Sequence, residues 1–115
     1  MSVKASTRQL EDVTIVNLSG EIKLADGARV LRDIVKGLLS KGEKKILLNL
    51  ADVSYIDSSG VGELVGAFTS VRNQGGEMKL LRLTKKVKDV LVITKLLTVF
   101  DVKDDEAAAI AAFKR

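Results

Sequence analysis

The sequence predicts an α/β fold: a mixed sheet of four to five strands with about four helices, in the order β-β-α-β-α-β-α-β-α. Three observations carry this prediction. After the first two segments, strand-like and helix-like hydrophobic patterns alternate along the chain. Lys45-Ile46-Leu47-Leu48-Asn49-Leu50 is almost continuously apolar, as a central strand covered on both faces must be. Leu24, Ala28, Leu31, Val35 and Leu38 recur at four and three spacing, the stripe of a helix lying on a sheet. Right-handed crossovers would then stack the helices on a largely parallel or mixed sheet.

Each element follows in order. Val3 to Leu10 alternates weakly and Val13 to Leu18 more clearly, so the two form a hairpin turning at Glu11-Asp12, and Ser19-Gly20-Glu21 breaks the second strand. The first helix ends near Ser40-Lys41-Gly42, where Gly42 suits a left-handed cap. The central strand at Lys45–Leu50 leads through a loop of about seven residues to a second helix. That helix is marked by Val61, Leu64, Val65, Phe68 and Val71 and stopped at Gln74-Gly75-Gly76. Glu77 to Leu83 reads as a strand, Lys85 to Thr94 as a helix, and Thr98 to Val102 as an edge strand. Asp104-Asp105-Glu106 opens an Ala-rich last helix through Phe113, with acids where the helix dipole favours them. The 115 residues contain no internal repeat or linker, so residues 1–115 are read as one domain.

Composition narrows the chemistry. The chain has no Cys and no His, which removes disulfides, thiolate nucleophiles, the Ser-His-Asp relay and nearly all zinc chemistry. An enzyme is not expected, nor a cofactor or metal. The formal charge of +4 favours solubility and acidic partners without implying nucleic acid. The first residues lack the apolar core of a signal peptide and no run is long enough to span a bilayer, so a cytoplasmic location with no membrane partner is expected.

Most of the information lies in Asp52-Val53-Ser54-Tyr55-Ile56-Asp57-Ser58-Ser59-Gly60-Val61-Gly62. Helix capping by Asp57, Ser58 or Ser59 is the plain explanation. It leaves the glycines unexplained, because Gly60 and Gly62 each cost about 1 kcal/mol in a helix relative to Ala. Gly66 lies one turn further. The apolar stripe runs elsewhere, so Gly62, Gly66 and Thr69 form an outward strip poor in side chains, open to another backbone or a nucleotide. Ser58 sits at the helix N-terminus, where a phosphate would be stabilised by free N–H groups, while Asp57 beside it would repel that phosphate. A partner lying over the glycines would meet new bulk and charge.

Ile56-Asp57-Ser58-Ser59-Gly60-Val61-Gly62, preceded by Ile46-Leu47-Leu48-Asn49-Leu50, resembles the signature of STAS-domain anti-sigma factor antagonists. Gly20-Glu21 and Gln74-Gly75-Gly76-Glu77 extend the resemblance over nearly the whole chain. It implies a single STAS domain in a bacterial partner-switching cycle that regulates transcription. In such a cycle an anti-sigma factor that is also a serine kinase phosphorylates Ser58, with Ser59 the lesser candidate. The unmodified protein binds the anti-sigma factor and releases a sigma factor, and a serine phosphatase resets it. By position, the implied docking surface comprises Glu21, Ile22, Lys23, Leu24, Asp57, Ser59, Gly60, Val61, Gly62 and Gly66. One departure stands out: Lys23 occupies a position where the family commonly carries Asp, and a Lys attracts a nearby phosphate.

Rival readings fare less well. Gly60-x-Gly62-x-x-x-Gly66 is similar to a dinucleotide fingerprint, but a loop rather than a tight turn is expected before it, and Leu81-Arg82-Leu83 offers no acid for a ribose. A basic stripe of Lys79, Arg82, Lys85, Lys86 and Lys88 could contact phosphates, yet the four aromatics Tyr55, Phe68, Phe100 and Phe113 give no stacking platform, so direct nucleic-acid binding is not expected and a solvated helix face is the simpler reading. A non-switching STAS interaction module, in a signalling assembly or as a transport accessory, is the alternative on the same fold.

Overall fold

The computed structural model describes residues 3–23 and 26–113. Nine elements follow the expected order: β1 (Lys4–Leu10), β2 (Val13–Ile22), α1 (Asp26–Ser40), β3 (Lys45–Ile56), α2 (Ser58–Asn73), β4 (Glu77–Leu81), α3 (Lys85–Ile93), β5 (Val102–Lys103) and α4 (Glu106–Ala112). The five strands form one sheet in the order β1-β2-β3-β4-β5. Only β1 runs antiparallel to its neighbour; β2, β3, β4 and β5 are parallel, as crossover helices require.

Strand alternation divides the core between the two faces. Val16, Leu18 and Ile22 of β2, Ile46, Leu48 and Leu50 of β3, and Met78 and Leu80 of β4 meet α1, α2 and α3 on one face. Val13, Ile15, Leu47 and Leu81 point the other way and meet Ala109, Ile110 and Phe113 around α4. The short helix α4 covers one end of that second face. Beyond it the strands turn polar, with Asn49 donating to Asn17 at 2.9 Å across β2 and β3. All of β1 is exposed, and Lys4 and Arg8 on this edge strand discourage further strand pairing.

Several boundaries differ from those expected. Ser19-Gly20-Glu21 does not break β2: Gly20 adopts φ +105°, and register shifts against β3 at Asn17/Ser19 and Gly20/Glu21 absorb the irregularity. With β2 carried on to Ile22, β3 continues beside it to Ile56. The seven-residue loop is therefore strand, and Asp57 alone separates β3 from α2. At the other end of the chain, β5 is only Val102–Lys103, because the residues before it curl into turns, with the Val99 N–H bonded to the Leu96 carbonyl at 3.0 Å instead of to β4. Gly42 and Gly75 do cap α1 and α2, at φ +83° and +80°. Each is followed by a residue whose N–H reaches back to a carbonyl of the last helical turn (Glu43 to Leu38, Gly76 to Val71).

Lys79 is also a correction to the solvated basic stripe. It lies in β4, not on a helix, and is 5% exposed. Its ammonium is 2.8 Å from Asp101 and 3.6 Å from Glu77, and stands 5.2 Å from the centroid of the Phe113 ring. The Lys79 hydrogen bond holds the Asp101 carboxyl below its ordinary range, with Lys103 assisting and partial burial opposing. A carboxylate with a lowered folded-state pKa adds stability that is complete above the ordinary value and is lost as pH falls through the folded one. Lys79→Ala is expected to cost about 2 kcal/mol at neutral pH, less than for a fully buried pair because Asp101 keeps contact with water. It should also flatten the loss of stability on the acid side, which urea melts between neutral and acid pH would read.

Candidate functional site

The site is built where β2 and β3 end and α2 begins. Ile22 pairs with Ile56 as the last register of the two strands, and the Asp57 N–H donates to the Ile22 carbonyl at 3.2 Å. Asp57 is then extended, with ψ −174°, and its carboxylate accepts from the Gly60 N–H at 3.0 Å. Of the three capping candidates, Asp57 is the N-cap. Ser58 is thus released from capping: it is the first helical residue, and its side chain is exposed.

The glycines divide into two kinds. A Cβ on Gly60 would lie 2.4 Å from the Ile22 carbonyl oxygen and 2.6 Å from Ile56 Cγ1, so Gly60 is buried against backbone. A Cβ on Gly62 or Gly66 would meet nothing within 4 Å. Gly62, Gly66 and Thr69 are all exposed and form the outward strip expected from their spacing. Beside it, a groove of about 210 Å³ runs between α1 and α2, lined by Arg32, Lys36, Glu63, Gly66 and Ser70 among others. Arg32 and Glu63 bridge the two helices at 3.2 Å.

The remaining predicted residues are spread between surface and interior. Glu21 and Ser59 are half-buried and Lys23 is exposed, with its ammonium 3.1 Å from Glu21. Ile22 is fully buried and Val61 nearly so, which leaves them to position the loop from within. Leu24 lies outside the described residues.

Two supporting residues were not singled out from the sequence. Gly27, in the first turn of α1, would place a Cβ 2.4 Å from the Glu21 carbonyl, so the end of β2 is held between Gly27 and Gly60. The propensity cost that draws attention to Gly60 applies equally to Gly27. Thr84 caps α3 by accepting from the Val87 N–H at 3.3 Å and donates its hydroxyl to the Val53 carbonyl at 2.9 Å, bracing the last stretch of β3. Only the fold brings Thr84 there.

The tight turn removes one argument against a dinucleotide site, namely the expected loop. A stronger one replaces it, because the ground over Gly60 is occupied by the Ile22 backbone. No group of three or more potential metal-ligating side chains occurs among the described residues.

The STAS domain profile matches residues 4–109. The chain belongs to the STAS domain family. It is 36% identical over 102 residues to the anti-sigma-B factor antagonist of Bacillus subtilis, a match covering 89% of this chain and 92% of that protein. Its fold is similar to that of a provisionally assigned anti-sigma factor antagonist from Thermotoga maritima, with a TM-score of 0.88, 28% identity, and coverage of 96% and 95% of the two chains. The anti-sigma factor antagonist SpoIIAA, solved in its unphosphorylated form, shares the STAS fold at a TM-score of 0.72 and 20% identity over 95% of this chain and 96% of its own. The names of the Bacillus subtilis and Thermotoga maritima relatives describe antagonists of anti-sigma factors, a regulatory binding role rather than an enzymatic one. No described helix is long and apolar enough to cross a membrane.

Proposed function

We propose that this STAS domain is an anti-sigma factor antagonist whose binding is switched off by phosphorylation of Ser58. The observation that carries the reading is the pairing of an exposed serine at the first position of α2 with a strip of open space over Gly62 and Gly66. The strip lets a partner backbone approach closely. A phosphate on Ser58 adds about two negative charges and three oxygens at its edge. It is tolerated in the free protein because it lies at a helix N-terminus. In a complex it would have to be desolvated against the partner. The partner is then an anti-sigma factor acting as a serine kinase, with a serine phosphatase restoring the hydroxyl. Lys23, at the end of β2 across from Asp57, softens the repulsion a phosphate would feel from that carboxylate.

Phosphosite mapping of the protein from its native cells tests the reading. Trypsin releases the peptide Ile46–Arg72, which holds Ser58 with Ser54, Tyr55, Ser59, Thr69 and Ser70. Phosphate on Ser58 is expected in part of the population. A peptide unmodified through growth and stress would instead favour a constitutive binding module.

The strip has its own test. Gly62→Ala should stabilise the protein by about 0.5–1 kcal/mol, since Ala favours a helix interior and the space is open. Gly62→Leu should leave stability near wild type yet weaken partner binding about tenfold or more, by holding the backbones apart. Urea melts and calorimetric titration separate the two effects. Wild-type affinity in Gly62→Leu would remove the strip from the interface.

A further inference from the structure

Helix α3 buries Val87 and Leu91 and turns Lys85, Asp89, Val92 and Ile93 outward. Ile93 is 78% exposed and Val92 52%, more than any other large apolar side chain described. Two adjacent β-branched residues thus stand proud at the end of the helix. Their surroundings are cationic: Lys85 and Asp89 neutralise each other at 2.8 Å, while Lys86, Lys88 and Lys95 are exposed and join no ion pair among the described residues.

The topology fixes where this end lies. Because α3 connects the parallel strands β4 and β5, it runs antiparallel to them. Its start is tied through Thr84 to Val53, near the end of β3 that leads to Ser58. Val92 and Ile93 therefore lie at the end of α3 away from that tie.

We propose that the outer face of α3 is a peripheral docking surface for an anionic lipid surface, with Val92 and Ile93 inserting at the headgroup boundary and Lys86, Lys88 and Lys95 facing lipid phosphates. An exposed apolar pair with lysines along the same helix face, Lys86 at i−7 from Ile93 and Lys88 at i−4 from Val92, suits a soft, negatively charged surface. A second copy of the chain fits poorly, since symmetric pairing would bring the lysines together. The inference does not depend on the switch proposed for Ser58.

The test is co-sedimentation of the full chain with phosphatidylcholine vesicles, plain or carrying roughly one-third phosphatidylglycerol. Binding is expected to the anionic vesicles alone and to weaken with added salt. Ile93→Glu and the double variant Lys86→Glu/Lys88→Glu should each reduce it about tenfold with unchanged thermal melting, because the altered side chains are exposed. Equal binding to both vesicle types, no binding to either, or undiminished binding by Ile93→Glu would overturn the proposal. So would self-association in sedimentation velocity that Ile93→Glu abolishes, which would assign the face to a second copy.

Discussion

Ser58→Asp is expected to weaken binding to the cognate anti-sigma factor by 2–5 kcal/mol, or about 30-fold to several thousand-fold, whereas Ser58→Ala should bind within about threefold of wild type. The asymmetry follows from what each change puts at the first residue of α2. Alanine removes a hydroxyl that caps nothing, since Asp57 already accepts from the Gly60 N–H. Aspartate adds a carboxylate that must be desolvated under a partner lying along the glycine strip. In the free protein the same carboxylate is favoured by the helix N-terminus, so Ser58→Asp should melt no lower than wild type. That separates lost affinity from lost structure. Calorimetric titration with thermal melts of both variants would decide it, and wild-type affinity in both would sink the switch while leaving the fold untouched.

The second large effect is on stability. Gly60→Ala is expected to destabilise the domain by about 2–4 kcal/mol, although Ala is the better helix former by about 1 kcal/mol. The added Cβ would meet the Ile22 carbonyl oxygen at 2.4 Å and Ile22 Cγ2 at 2.9 Å. The first of these is backbone and cannot rotate away. Relief requires pulling the end of β2 off α2, which breaks the Asp57 N–H bond to that same carbonyl. The segment displaced carries Glu21 and Lys23, so affinity should fall with stability. Gly62→Ala, the same change two residues along the same helix, should act in the opposite direction. Equal and favourable effects at both glycines in urea melts would show that the close approach at Gly60 has no energetic weight.

The order of elements was readable because it rests on local chemistry. The stripe from Ala28 to Leu38 and the run Ile46–Leu50 specify a helix and a buried strand through periodicity, and Gly42 and Gly75 end helices through their positive φ. Ser58 and the strip of Gly62 and Gly66 were readable for a related reason, since helical spacing alone puts them on a face away from Leu64 and Val71.

Pairing between distant segments was not readable in this way. Residues 51–56 look like a loop until β2 continues alongside them, and β2 continues only because Gly20 and two register shifts bend it to follow. Lys79 looks like a surface charge until Asp101 and Phe113 close over it. Gly60 reads as part of the docking surface, yet the Ile22 backbone lies against it. In sequence, then, this protein determined the type and order of its elements and the face its serine would occupy. Tertiary structure decided which glycine is open to a partner and which is walled in, because that depends on a backbone 38 residues away, where no periodicity within α2 can reach.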